Sequence, residues 1–472
     1  MTGLQFWHDT QVNEALSLTP EQSTEISFSG ISTDSRSVKE GELFVALMGG
    51  NFDGHDFILR AIEQGARGVV VSRPVDIEER NFPVYHVEDT LEALGNLARY
   101  RRRHLDITVV AITGSSGKTG TKDLTQAAIE VCYESHCTFG NQNNRIGVPL
   151  TLLSAPETTQ ILVLEIGTSE PGEIEMLTEI AEPQIGVVTT VSESHTEKLG
   201  SFDGVMKEKL ELFRGLSATG TALVGGDPQI LSTTAKQFRE STLVIGTGSH
   251  TDEAYRPSQI QMEESGCCSF SWRGEQIALQ IPGMHSVQNA LMALAISDLL
   301  DIPVSIAAEG ISSVRAAKMR MEMMEVGDMT LILDCYNANP QSVESALDLL
   351  AVIKPERPKI AFLGSMLELG ESSDQLHRRL LSRAMSLDVD FVVATGLFAC
   401  ESSMKRSEKR GQGPRLVSAL DPRKAYETVR DQMRGDEVLL LKASRGVNLE
   451  KLIPFFEADF GIKRTCLDEE VG

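Results

Sequence analysis

The sequence predicts an α/β protein of three domains, with a phosphate-binding (P-loop) parallel sheet in the centre and a Rossmann-like sheet at the C-terminal end. Three observations carry this. At 472 residues the chain is too long for one hydrophobic core. Short apolar, β-branched runs alternate with helically spaced apolar residues along most of it, the pattern of parallel βα units. One such run leads directly into Gly114-Ser115-Ser116-Gly117-Lys118-Thr119, a glycine loop that opens a helix.

The first domain is expected over residues 1–104. Strands are read at 43–47, 68–72 and 84–87, and helices at about 55–65 and 90–103. Two polar loops flank the first strand: Thr33-Asp34-Ser35-Arg36, and Gly49 to Asp56. They fit a small anionic ligand or plain turns equally, since Gly, Asp and Ser favour both. The domain closes on Arg99-Tyr100-Arg101-Arg102-Arg103-His104. This run reads better as cations at a helix C-terminus, where they meet the negative end of the helix dipole, than as a nucleic-acid patch.

The second domain is expected over 105–316. The run 107–112 reads as a buried strand. Leu124, Ala127, Ala128 and Val131 then mark one face of a helix. Strand, glycine loop, Lys-Thr and helix is the context in which backbone N–H groups and a helix N-terminus surround phosphate. Lys118 would reach the terminal phosphates, and the Thr119 hydroxyl would face a Mg²⁺ ion. The strict motif wants a glycine five residues before Gly117, where Ile112 stands. Gly114 and Gly117 make a shorter loop. Further strands follow at 161–166, 185–190, 221–224 and 243–246. Strands at about 259–263, 267–272 and 276–281, with Arg273-Gly274 as a hairpin turn, read as an antiparallel extension of that sheet. An apolar helix covers about 287–300.

The third domain is expected over 317–472. Strands at 329–333, 359–363, 391–395 and 438–442 alternate with helices at about 341–353, 374–387, 422–433 and 448–457, a second doubly wound unit. The charged, Gly-containing stretch 402–413 reads as a mobile loop.

Composition narrows the function. With 41% apolar and 24% charged residues, this is an ordinary globular chain. A net charge of −23 argues against nonspecific binding to nucleic acid or anionic membranes. Seven scattered cysteines without a CxxC pair fit reduced thiols in the cytoplasm. No signal peptide or membrane span is read.

In open α/β sheets, ligands collect at the carboxyl ends of the strands. Glu165 stands near one such end, where a carboxylate could share Mg²⁺ with Thr119; burying it unpaired would be costly. His195 lies just beyond the next strand, as a metal ligand, an acid–base group or an ordinary loop histidine. Lys207 and Lys209 sit two apart on a helix and so point to different sides. His285 and Asn289 share a helix face, and an amide suits an adenine edge. Asp334, Tyr336, Asn337 and Asn339 cluster after the strand 329–333, where they fit ribose or base contacts, or a turn and helix cap.

At this point the chain resembles the ATP-dependent Mur ligases of bacterial cell-wall synthesis over nearly its whole length. The pieces that carry the resemblance are TGSSGKT at 113–119, GNQNNRIGVPLTLL at 140–153, Tyr336 to Pro340, LGSMLELGE at 363–371 and KASRG at 442–446, with TDSR and GGNFDGHDF near the N-terminus. The Tyr336 to Pro340 and LELGE pieces favour the D-alanyl-D-alanine-adding branch. The resemblance implies a ligase that joins D-alanyl-D-alanine to UDP-N-acetylmuramoyl-tripeptide through an acyl phosphate, in the cytoplasm; a monomer is expected, without a sequence feature that fixes it. Its neighbours would be the diaminopimelate-adding and polyglutamate-adding branches.

By the same resemblance, Gly114, Ser115, Ser116, Gly117, Lys118, Thr119 and Gly120 surround the ATP phosphates, and Thr119, Glu165 and His195 hold Mg²⁺. Lys209, fourteen residues after His195, is in the register of a lysine that some members carbamylate. Asn289 is expected on adenine, Arg320 on phosphate from the third domain, and Asp334, Tyr336, Asn337 and Asn339 on the nucleoside. Ser35 and Arg36 are expected on the UDP moiety, and Asn143, Asn144, Ser444 and Arg445 on the substrates. Hinges near 104–106 and 314–320 would let the third domain close on ATP. The sequence departs from the family pattern at Ala111, Gly120, Ser286, Ser365 and Ala443.

Overall fold

Six parallel strands form the central sheet, in the order Leu243–Ile245, Thr221–Gly225, Ile185–Val188, Thr108–Thr113, Ile161–Glu165 and Ser135–Cys137. The computed structural model describes residues 7–19, 25–50, 52–77, 82–402 and 414–461. Val109 to Ile112 are fully buried, as expected for a strand covered on both faces. From Thr108–Thr113 the chain goes to the edge strand Ser135–Cys137, returns to Ile161–Glu165 beside its start, and then crosses to Ile185–Val188 on the other side. The strands ending in Glu165 and leading to His195 therefore flank the phosphate-loop strand. That reversal of strand order is a topological switch point, where such sheets open a crevice.

The helix after the loop runs Lys118–Ile129. Leu124, Ala127, Ala128 and Ile129 are buried, whereas Val131 lies past the helix end and is exposed. Ile129 takes the place the spacing gave to Val131.

The strands Ser258–Met262, Cys267–Trp272 and Glu275–Pro282 do not extend the central sheet; they form a separate antiparallel sheet of three. Alternate residues Cys268, Phe270 and Trp272, with Ile277 and Leu279, enter the core that also holds the helices Met284–Leu299 and Val304–Ser313. Packing on helices satisfies their apolar face, so no pairing with the parallel sheet is needed.

The N-terminal unit carries a four-stranded parallel sheet, Ile31–Ser32, Leu43–Val45, Gly68–Val71 and Val84–His86. Its helix Thr90–His104 ends in the expected basic run. Two of those arginines do more than meet their own helix end. Buried Arg101 donates to the Ala155 carbonyl (3.2 Å), and buried Arg102 to the carbonyls of Ala181 (2.9 Å) and Glu182 (3.1 Å). They answer the open carbonyl ends of two central-unit helices, Gly147–Ser154 and Glu173–Ala181.

The third unit is a six-stranded sheet in the order Glu322–Val326, Met329–Asp334, Val438–Lys442, Lys359–Leu363, Phe391–Thr395 and Arg415–Ala419, the first strand antiparallel. The first and last of these were not read from sequence. The loop read at 402–413 lies, apart from Ser402, outside the described residues. Among the described residues, no helix is long and apolar enough to cross a membrane.

Candidate active site

The phosphate loop is shaped by sterics and by straps from the neighbouring strand. Gly114 has φ +151°, and a Cβ there would stand 1.9 Å from Thr189 Oγ1. Only glycine fits. Gly117, left-handed at φ +84°, then turns the chain into the helix. The Ser115 N–H donates to the Thr190 carbonyl (2.8 Å), and the Ser192 N–H donates to Ser115 Oγ (3.0 Å). The hydroxyls of Ser194 and Thr189 add bonds to Ser115 Oγ (2.8 Å) and to the Ser116 carbonyl (2.5 Å).

Lys118 curls back over the loop, its Nζ donating to the Gly114 carbonyl at 2.7 Å. Burial pushes its pKa below the usual lysine value; the Glu165 charge opposes that shift and the Arg320 charge adds to it. The Arg320 charge of the third unit is thus within electrostatic reach of Lys118, and its guanidinium lies 4.0 Å over the Tyr336 ring.

Thr119 and Glu165 meet as the sequence implied. Thr119 Oγ1 donates to Glu165 Oε2 at 2.8 Å, and Asn143 Nδ2 donates to Oε1 at 2.7 Å. Glu165 is 1% exposed, and these bonds offset a burial that would otherwise cost several kcal/mol, on the order of an unpaired buried charge. A hydroxyl and a carboxylate are hard oxygen donors, which suit Mg²⁺. Among the described residues, no three His, Cys, Asp or Glu side chains gather into a metal cluster. Few protein ligands, with phosphate oxygens and water completing the shell, is how Mg²⁺ is commonly held.

His195 stands at the neighbouring strand end, with a left-handed backbone (φ +55°) unusual for a residue with a Cβ. Its Nδ1 is 2.5 Å from Glu368 Oε2 of the third unit. The bond to His195 holds the Glu368 carboxyl below its usual pKa. The Glu197 N–H donates to the Glu368 carbonyl (3.2 Å), and Thr196 Oγ1 to the Leu369 carbonyl (3.0 Å). The LELGE segment was singled out in the sequence, but Glu368 was given no role. Its contact with His195 depends on how two units dock, which no local pattern records.

Lys207 is exposed and Lys209 is 1% exposed, as the two-residue spacing implied. Lys209 makes no hydrogen bond or ion pair among the described residues. Burial, then the Lys118 charge, drives its pKa well below the usual lysine value. Its neighbour Glu208, also missed, is buried and accepts from the N–H groups of Gly172 (2.9 Å) and Ile174 (3.0 Å), fixing the helix Glu173–Ala181.

The remaining candidates are distributed unevenly. Asn289 lies against Gly117 and Gly120 and accepts from Thr121 Oγ1 at 3.4 Å. His285 carries a buried Nδ1 with no hydrogen-bond partner. Asn339 caps the helix Pro340–Val352 and donates to the Ser115 carbonyl (3.2 Å) and Ser116 Oγ (2.9 Å), tying the third unit to the phosphate loop. Asp334 is paired with buried Lys442 (2.7 Å), whose Nζ also donates to the Asn337 carbonyl (2.6 Å). Ser444 Oγ accepts from the Leu367 N–H (3.0 Å), and Arg445 lies 6.0 Å from the Tyr336 ring centre. Asn144 Oδ1 accepts from the N–H groups of Ile146 and Gly147 (3.1 and 2.9 Å) and fixes its own loop. Ser35 and Arg36 stay in the N-terminal unit. Arg36 grips Asp34 (2.9 and 2.7 Å), holding that carboxyl at about 2. No hydrogen bond or ion pair joins them to the phosphate loop.

The chain is similar to known proteins over most of its length. Residues 27–102 match a model described as Mur ligase family, catalytic domain; 112–297 match the Mur ligase middle domain; 319–445 match the Mur ligase, glutamate ligase domain. A relative from Bacillus subtilis named UDP-N-acetylmuramoyl-tripeptide–D-alanyl-D-alanine ligase is 35% identical over 430 residues, covering 90% of this chain and 92% of its own length. A crystal structure of MurF from Acinetobacter baumannii superposes with a TM-score of 0.87 at 28% identity, over 96% of this chain and 99% of that one. MurF from Thermotoga maritima in complex with ADP gives 0.79 at 28% identity, over 91% of this chain and 97% of its own. With likeness running through all three units, the chain belongs to the Mur ligase family.

Proposed function

We propose that this chain is an ATP-dependent, ADP-forming ligase that adds D-alanyl-D-alanine to UDP-N-acetylmuramoyl-tripeptide in peptidoglycan precursor synthesis. The observation that carries the reading is the convergence of Lys118, the Thr119–Glu165 pair and His195 at one switch point, with Asn339 of the third unit bonded to the loop beside them. The relatives' names supply the substrates.

In this reading the tripeptide carboxylate oxygen attacks the γ-phosphorus and ADP leaves. The dipeptide amine then attacks the acyl carbon, loses a proton, and phosphate departs with the former carboxylate oxygen. Both steps press anions together, so positioning and charge neutralisation do most of the work. The N–H groups of 116–119, at the helix N-terminus, hold the phosphates, while that of Ser115 straps the loop to Thr190. Lys118 neutralises the β/γ end, and Arg320 does so from the opposite side. Asn289 takes the adenine, and Asp334, Tyr336, Asn337 and Asn339 the nucleoside. Asn143, Asn144, Ser444 and Arg445 position the peptides, and Ser35 and Arg36 hold the UDP moiety. Thr119, Glu165 and His195 would hold Mg²⁺, which would supply positive charge to the reacting phosphate.

Lys209 is buried, unpaired and shifted toward the neutral amine. A neutral amine adds CO₂ and releases one proton to give a carbamate, which would turn this lysine into a carboxylate. In this reading the enzyme works in the cytoplasm as a monomer of three domains near 1–104, 105–316 and 317–472.

The test is phosphate release from ATP with the UDP-tripeptide, with and without D-alanyl-D-alanine. Release that depends on the dipeptide is expected. Release that ignores it, or that needs diaminopimelate or glutamate as the amine, overturns the assignment.

A further inference from the structure

The third-unit segment that meets His195 has an uncommon backbone. Glu368 and Gly370 are left-handed, at φ +65° and φ +54°. A left-handed residue that carries a side chain costs free energy and persists only where its surroundings over-determine it. Residues 365–367 supply that constraint. The Leu397 N–H donates to Ser365 Oγ (2.9 Å), the Met366 N–H to His377 Nε2 (3.0 Å), and the Leu367 N–H to Ser444 Oγ (3.0 Å).

His377 stands apart among these partners because it reaches the segment twice. It lies on the helix Ser373–Ala384 and is fully buried. A backbone N–H can only donate, so Nε2 accepts from Met366 and the ring proton sits on Nδ1. Nδ1 donates to the Ser373 carbonyl at 2.7 Å, with Ser373 Oγ at 3.3 Å. One imidazole thus closes the stretch 366–373 at both ends, and Glu368 lies inside it. Burial pushes the His377 pKa below the usual imidazole value, against the Ser373 bond and the charges of Asp374 and Glu401, which favours the neutral ring. The edge contact with Phe398, 4.7 Å between ring centres, is open to any aromatic side chain. The two hydrogen bonds are not.

The outer side of the same stretch meets the central unit. Glu368 contacts His195, the Glu197 N–H donates to the Glu368 carbonyl, and Thr196 Oγ1 donates to the Leu369 carbonyl. Among the described residues, no hydrogen bond joins His377 itself to the central unit, so its influence on the site runs through the segment it closes.

We propose that His377 is a positioning residue for the reaction: by tying Met366 to Ser373 it holds Glu368 where it meets His195. The proposal rests on the ligase reading above.

The test measures phosphate release with ATP, the UDP-tripeptide and D-alanyl-D-alanine saturating, and nucleotide affinity by calorimetry. His377→Phe keeps an aromatic ring and loses both bonds. It is expected to lower kcat about fivefold, the scale of one lost hydrogen bond. Nucleotide affinity should stay within about threefold of native, because the central wall is untouched. His377→Gln can still accept from the Met366 N–H, and its kcat is expected within about twofold of native. In a Glu368→Ala background, His377→Phe is expected to cost less than about twofold more, since both changes act through one contact. An unchanged kcat in His377→Phe, an equal loss in His377→Gln, or a full further loss in the Glu368→Ala background overturns the positioning role and leaves the ligase reading standing. A native chain whose phosphate release ignores the dipeptide overturns both.

Discussion

The two walls of the site are built in different ways. The central wall, from Gly114 to Thr119 with Glu165, is held by its own unit: glycine sterics at 114, straps from Thr189 to Ser194, and a carboxylate bonded on both oxygens. The opposite wall belongs to the third unit and touches the central wall through polar contacts that include Asn339 on Ser115 and Ser116, Gln341 on Thr190, Glu368 on His195 and Leu369 on Thr196. Such an interface of polar contacts suits parts that separate and reclose. The difference teaches a division of labour: the central wall holds phosphate by itself, and the third unit completes the site for turnover.

Variants can break or sharpen that division. Lys118→Ala is expected to have the largest effect, lowering turnover by about a thousandfold, the scale of removing a preorganised charge from a transferring phosphate. Thermal melting should stay within about 3 °C, since Lys118 contributes no core packing. Near-normal turnover would sink the phosphate-loop assignment.

Gly114→Ala is expected to destabilise the chain by about 3 kcal/mol in denaturant titrations, through a forced φ and a collision with Thr189. An undisturbed midpoint would contradict the strapped-loop description. Glu368→Ala acts on the other wall. Turnover should fall by about tenfold through lost closure while nucleotide affinity, measured by calorimetry, stays within about threefold. Parallel loss of both would erase the distinction between the walls.

The smallest effect concerns Lys209. Its folded pKa lies well below the unfolded lysine value, so over that interval the unfolded chain binds more protons than the folded one. Stability then rises with pH from the folded pKa up to about 10.4. Lys209→Met should flatten that rise on the alkaline side, below about pH 10.4. An unchanged slope would show that Lys209 is not held toward its neutral form.

The same contrast explains how much was legible beforehand. The central wall is written in nearly consecutive residues: Ile107 to Thr119 declare a strand, a loop and a helix, and Glu165 and His195 follow at strand ends. Lys209 was noted with Lys207 from their helix spacing and chosen over it only through the resemblance, and its lack of a partner required the fold. The third wall is non-local. Arg320, Asn339 and Glu368 sit on three loops whose meeting depends on sheet order and docking. The left-handed backbones of His195 and Glu368 carry no glycine signal. The missed strands Ser135–Cys137, Glu322–Val326 and Arg415–Ala419 lie at sheet edges, where one flank is open and the apolar pattern weakens. The three-stranded sheet was read strand by strand, but its partner was misjudged, because alternation fixes which face is buried and not what buries it.

The central claim is that the two walls bring a peptide carboxylate onto the γ-phosphate of ATP. A heavy-oxygen label in the terminal carboxylate of the UDP-tripeptide tests it directly. After turnover with ATP and D-alanyl-D-alanine, one labelled oxygen is expected in each inorganic phosphate released. Phosphate that carries no label, its new oxygen drawn from water, would contradict the account.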